Sequence, residues 1–139
     1  MRFWDASALV PLVVDQPAST RVKALLREDR TLVVWWGSVV ECWSAFARLR
    51  REGVFSVDDE DAARGLLHTL QESWIEILPS EDVRAHAGRL LRLHAVRSTD
   101  AVQLAAALVW AGDPPSGEFV VFDQRLQDAA RMEGLTARP

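Results

Sequence analysis

The chain has 139 residues, 49% of them hydrophobic and 26% charged, the composition of one ordinary globular domain over residues 1–139 and not of a disordered segment. Its formal net charge of −4 and pI near 5.3 exclude a broad basic face that would wrap a nucleic acid. The single cysteine, Cys42, excludes an internal disulfide framework and a cysteine-based zinc site, and a reducing, cytoplasmic setting is expected.

The elements follow in chain order. Arg2–Asp5 reads as a short aromatic strand, followed by a helix over Ser7–Val14 that Pro11 would bend or restart. That apolar stretch is too short, and too close to Asp5 and Asp15, for a signal peptide. Pro17–Arg30 reads as a second helix with Pro in its first turn. The β-branched run Thr31–Trp36 is a strand, and Ser38–Glu52 a helix with Val39, Trp43 and Phe46 in register, stopping at Gly53. Ser56–Ser73 opens with Ser56 and Asp59 at capping-box spacing. Trp74–Leu78 is a third strand, and Ser80–Val96 an amphipathic helix. Thr99–Ala111 is apolar nearly all round, hence a buried helix ending at Gly112. Its uncharged run, Ala101 to Gly112, is too short to span a bilayer, so no membrane association is expected. Glu118–Phe122 is a fourth strand, Gln124–Met132 the last helix, and Leu135–Ala137 a short fifth strand. Strands alternating with helices imply an α/β fold, a three-layer α/β/α sandwich around a parallel sheet of four or five strands.

Four acids recur in a common context. Asp5 ends the first strand, Glu41 lies in the first turn after the second, Asp100 opens the buried helix and Asp123 follows the fourth strand. In a parallel sheet the strand C-termini and helix N-termini share the edge where ligands bind. Each acid also has a purely local reading. Asp5 and Asp123 could be N-caps, Ser38 and Glu41 have capping-box spacing, and Asp100 could complement a helix dipole. Four crowded carboxylates, however, raise one another's pKa values unless a cation neutralises them. Hard oxygen donors without His or Cys suit Mg²⁺, or Mn²⁺, and such a site suggests metal-assisted phosphoryl chemistry.

Other residues carry less. His68, His86 and His94 form no positioned pair and read as surface or boundary residues, and Cys42 as a small buried hydrophobe. Trp35, Trp36, Trp43 and Phe46 read mostly as core, although tryptophan is also enriched at interfaces. Lys23, Arg27 and the run Arg48, Arg50, Arg51 could guide phosphate groups or simply be solvated helix faces. No phosphate-binding glycine loop is present.

Four stretches, FWDASALVPLV, SVVECWSAF, STDAVQLAAAL and FVVFDQRLQDAA, resemble PIN-domain proteins, specifically the VapC-type toxins of bacterial toxin–antitoxin pairs. The resemblance implies a PIN-like sandwich and a Mg²⁺-dependent endoribonuclease. Its acidic pocket would be formed by Asp5, Glu41, Asp100 and Asp123, with Asp5 and Asp100 the leading metal ligands. Ser7 matches a hydroxyl that would orient Asp5, and Ser98 or Thr99 would hydrogen-bond near the pocket. It implies hydrolysis by metal-activated water to a 3′-hydroxyl and a 5′-phosphate. A small antitoxin that blocks the pocket and a homodimer are implied as well. In the family a Ser or Thr often stands two residues before the last Asp, where this chain has Val121.

Three other functions compete. An aspartate-based phosphatase would resemble D-x-D, but Asp5-Ala6-Ser7 lacks the second Asp. A receiver-type phosphoacceptor would need a late lysine, and the only lysine is Lys23. The third reading is a non-catalytic PIN-like binding module, which metal binding would separate from the nuclease.

Overall fold

The computed structural model describes all of the chain, Met1–Pro139. Five parallel strands, β1 (Arg2–Trp4), β2 (Leu32–Trp35), β3 (Ile75–Ile77), β4 (Glu118–Val120) and β5 (Thr136–Arg138), form one sheet in the order β3-β2-β1-β4-β5. Seven helices connect them: α1 (Ala6–Val13), α2 (Ser19–Glu28), α3 (Ser38–Arg51), α4 (Val57–Gln71), α5 (Glu81–Leu93), α6 (Ser98–Ala111) and α7 (Gln124–Met132). Every element anticipated from the sequence is present, most of them a residue or two shorter at an end. Ser56 and Asp59 form the anticipated capping box. Pro11 lies within a continuous α1 and does not divide it.

Alternation along the strands sorts side chains to two faces. Phe3, Val33, Phe119 and Val121 enter one core with α5, α6 and α7. Trp4, Leu32, Val34 and Val120 enter a second core with helices α1 to α4. The three-layer sandwich follows directly: a sheet buried on both faces must be covered on both.

The aromatic expectation needs correction. Phe46 is fully buried, but Trp36 is 52% and Trp43 37% exposed. Trp43 points away from the core and carries the Arg64 guanidinium 4.7 Å above its ring. His94 is a boundary residue at the end of α5. Its side chain is almost enclosed, and Nε2 lies 2.7 Å from Glu133, which also takes Arg89. No helix is long and apolar enough to cross a membrane.

Candidate active site

The edge at which β1, β2 and β4 end collects the acids. Asp5 leaves β1 with its amide donating to the Val120 carbonyl at 3.0 Å, which carries the ladder one residue past the strand. It then caps α1, its Oδ2 accepting from the Ser7 amide at 3.0 Å. Asp5 is only 6% exposed. Burial pushes its pKa up to about 6, against the hydrogen bonds from Ser7 and with a further upward push from Asp100. The Ser7 hydroxyl accepts from the Phe122 amide at 3.2 Å, so it ties α1 to the segment that delivers Asp123.

Glu41 sits in the first turn of α3. The capping-box alternative at Ser38 does not hold. Gly37 is the N-cap, and the buried Ser38 hydroxyl turns inward to Gln103. A Cβ at Gly37 would meet the Trp35 indole nitrogen at 2.5 Å, so any larger residue at this passage from β2 into α3 would have to displace the indole. Glu41 Oε2 instead accepts from Gln103 Nε2 at 2.6 Å. Desolvation raises the Glu41 pKa to about 7; the Gln103 bond opposes this, and the charges of Asp5 and Asp100 add to it.

Asp100 is the third residue of α6, and its Oδ2 accepts from the Arg97 amide at 3.3 Å. Its pKa is raised, chiefly by burial and then by Asp123, against the Arg97 amide and guanidinium. Asp123 caps α7 from the exposed rim, Oδ1 accepting from the Leu126 amide at 2.9 Å. Just before it, Gln127 holds the Val121 carbonyl at 3.0 Å and Val121 is fully buried, so packing fixes this strand end without a hydroxyl. The N-cap readings of Asp5 and Asp123 therefore hold together with their placement at the site. Ser98 and Thr99 stand exposed in the first turn of α6 with no hydrogen bond to any of the four acids.

The four carboxylates thus feel one another in a chain, Glu41 to Asp5 and Asp100, and Asp100 to Asp123. None has a Lys, Arg or His nitrogen within 4.0 Å, although acids elsewhere are well paired. At the other end of β1, for example, Arg2 takes both Glu28 and Glu118. No three of the four converge tightly enough to enclose an ion by themselves. That donor set fits Mg²⁺, which binds through one or two carboxylates and keeps most of its water, better than a fully protein-coordinated ion. Unpaired, partly buried and mutually repelling carboxylates are a site that lacks positive charge.

Sequence reasoning missed Gln103. The signal was there: one amide in the apolar run VQLAAALVWA, three residues after Asp100 and so on its face of the helix. Cys42, beside Glu41, is fully buried in the second core, and burial holds its thiol protonated.

Comparison with known proteins gives a consistent picture. The family model described as PIN domain matches residues 2–132. Two Mycobacterium tuberculosis proteins, Ribonuclease VapC45 (strain CDC 1551 / Oshkosh) and Ribonuclease VapC49 (strain ATCC 25618 / H37Rv), are each 31% identical over 99% of this chain and 94% of their own. Among solved structures, FitAcB from Neisseria gonorrhoeae superposes with a TM-score of 0.70 at 15% identity, covering 100% of this chain and 97% of that one. A toxin-antitoxin complex from Klebsiella pneumoniae gives 0.68 at 13% identity, over 98% and 96%. FitAB bound to an IR36 DNA fragment gives 0.69 at 14% identity, over 99% and 94%. At these identities the solved structures speak to the fold alone.

Proposed function

Since the chain belongs to the PIN-domain family, we propose that it is a VapC-type ribonuclease toxin, a divalent-metal-dependent endoribonuclease restrained by a small antitoxin protein. The observation that carries this reading is the set of four coupled carboxylates gathered at one edge of the sheet, none of them paired with a basic side chain within 4.0 Å. The name shared by the two M. tuberculosis relatives supports the reaction class. The toxin–antitoxin character of a structural neighbour supports the partner.

In this reading Asp5 and Asp100 hold Mg²⁺, or Mn²⁺ in its place, Glu41 stands beside the ion to bind it through its water, and Asp123 closes the site from the rim. When bound, the ion supplies charge neutralisation at the phosphate and lowers the pKa of water beside it. The protein's own part is positioning. Ser7 fixes Oδ2 of Asp5 and leaves Oδ1 free, while Gln103 fixes Oε2 of Glu41 and leaves Oε1 free. The α6 N-terminus fixes Asp100. Fixed donors cost no reorganisation when charge develops on the phosphate. The exposed Trp36, Val40 and Trp43 at the start of α3 suit a protein interface beside the pocket, for the antitoxin or a second copy in a homodimer.

Cleavage of total RNA by the purified, antitoxin-free protein tests the reading, beside Asp5→Asn and Asp100→Asn. Cleavage that requires Mg²⁺ or Mn²⁺ and disappears in both variants is expected. Equal cleavage by the variants would place the activity elsewhere. A folded wild type that neither cleaves RNA nor binds Mg²⁺ would leave a non-catalytic binding module.

A further inference from the structure

The run Arg48, Arg50, Arg51 is uniform in sequence, and the structure divides it. Arg50 is held by Glu60 of α4 at 2.7 Å. Arg51 is exposed and lies outside the cleft. Of the three, only Arg48 lines the cleft that reaches Glu41. It lines a cleft of about 240 Å³ with Ser7 and Glu41, and Gln16 joins them from the α1–α2 connection. Ala6, Val10 and Leu49 complete the lining, and the residue between Glu41 and Arg48 on the α3 face is the small Ala45.

Arg48 stands seven residues, two turns, beyond Glu41, about 10 Å further along the helix axis. It is the only cation lining the cleft and has no carboxylate partner within 4.0 Å. A free guanidinium at the end of a groove that opens from an acidic site matches a planar anionic group in shape and charge. The Gln16 side chain makes no hydrogen bond within the protein and offers both donor and acceptor.

From this geometry we infer that Arg48, with Gln16, forms a subsite for a phosphate of the RNA strand neighbouring the one presented to Asp5, Glu41 and Asp100. The inference rests on the ribonuclease reading. Because the protein is acidic overall, attraction of a polyanion has to be local, and Arg48 supplies it at the point where the strand leaves the acids. Substrate placement then depends on chain length. A dinucleotide carries a single phosphate, which the acids take, and leaves Arg48 empty.

The test compares wild type, Arg48→Ala, Arg48→Lys and Arg51→Ala on a fluorescent single-stranded RNA, with binding measured in chelator and cleavage in Mg²⁺. Arg48→Ala should weaken binding about tenfold and reduce the slope of log affinity against log salt by about one. Arg48→Lys should recover part of the loss, and Arg51→Ala should match wild type. In cleavage, Arg48→Ala should raise KM with kcat nearly unchanged on the long RNA. On a dinucleotide it should have no effect. If wild type binds and cleaves RNA while Arg48→Ala behaves as Arg51→Ala does, the subsite is wrong and the nuclease reading stands; the cleft then belongs to another occupant, such as a protein partner. An equal loss on the dinucleotide also overturns the subsite, because Arg48 would then act through the acids. If wild type neither binds nor cleaves RNA, the nuclease reading fails and the subsite with it.

Discussion

Gln103 on α6 donates from Nε2 to Oε2 of Glu41 on α3 at 2.6 Å, and from the same nitrogen to Ser38 Oγ at 2.8 Å. Gln103 is 1% exposed and Ser38 fully buried, so this bridge fixes the distance between the helices that carry Glu41 and Asp100. Gln103→Leu should lower kcat by about 10–100-fold with little change in KM, the usual cost of losing a group that orients a metal ligand. It should also cost about 1–3 kcal/mol of stability, because the Ser38 hydroxyl loses its buried partner. Ser38→Ala separates the two effects. It should lower the melting temperature while leaving most of the activity, since the Gln103–Glu41 bond remains.

Stability should fall as pH rises through the acids' titration. The Asp5 carboxyl moves from an ordinary value of 3.8 to about 6, and Glu41 from 4.5 to about 7. Between about pH 4 and 7 the folded protein therefore holds protons that the unfolded chain has released, and each step up in pH favours unfolding. In chelator the melting temperature should be higher at pH 5 than at pH 7.5. Asp5→Asn, which keeps a good N-cap, should flatten that slope and raise stability at pH 7.5 by about 1–3 kcal/mol. An unchanged slope in Asp5→Asn would show that the carboxylate is not strained by burial.

Divalent ions should reverse the same penalty. A ligand that binds only the folded state stabilises it by mass action. Millimolar Mg²⁺ should therefore raise the melting temperature at pH 7.5 more than at pH 5, where the carboxylates are partly protonated. Asp100→Asn should reduce the gain, and calorimetric titration with Mn²⁺ should show the same loss of affinity. A gain of equal size in wild type and Asp100→Asn would place the ion elsewhere.

Gly117 tests the packing behind the site. Its φ is +135, and a Cβ there would meet the Trp110 ring at 2.7 Å. Trp110 in turn packs on Phe3 of the central strand, ring centroids 6.1 Å apart. Gly117→Ala should destabilise the protein by about 1–3 kcal/mol, from a strained backbone and a displaced ring. Metal-dependent activity of the remaining folded fraction should be little changed, because Gly117 lies at the start of β4 and the acids at the ends of the strands.

Much of this protein was legible in its sequence, for a local reason. Short β-branched runs, capping residues such as Ser56 and amphipathic spacing are properties of neighbouring residues, and they set the strands, the helices and hence the layered α/β architecture. The parallel arrangement then sends Asp5, Glu41 and Asp123 to one edge, because strand ends and helix starts share it. What lay beyond the sequence depends on contacts between residues far apart in the chain. The packing of α6 on the sheet brings Asp100, which follows a helix and not a strand, near enough to Asp5 for its charge to be felt there. Only the approach of α6 to α3 turns Gln103 from one amide in an apolar run into the partner of Glu41. The packing of α4 on α3 gives Arg50 a carboxylate and leaves Arg48 free in the cleft. Helical and strand periodicity constrain which side of its own element a residue occupies. Which partner it meets, and whether its charge is satisfied there, is decided when the elements pack.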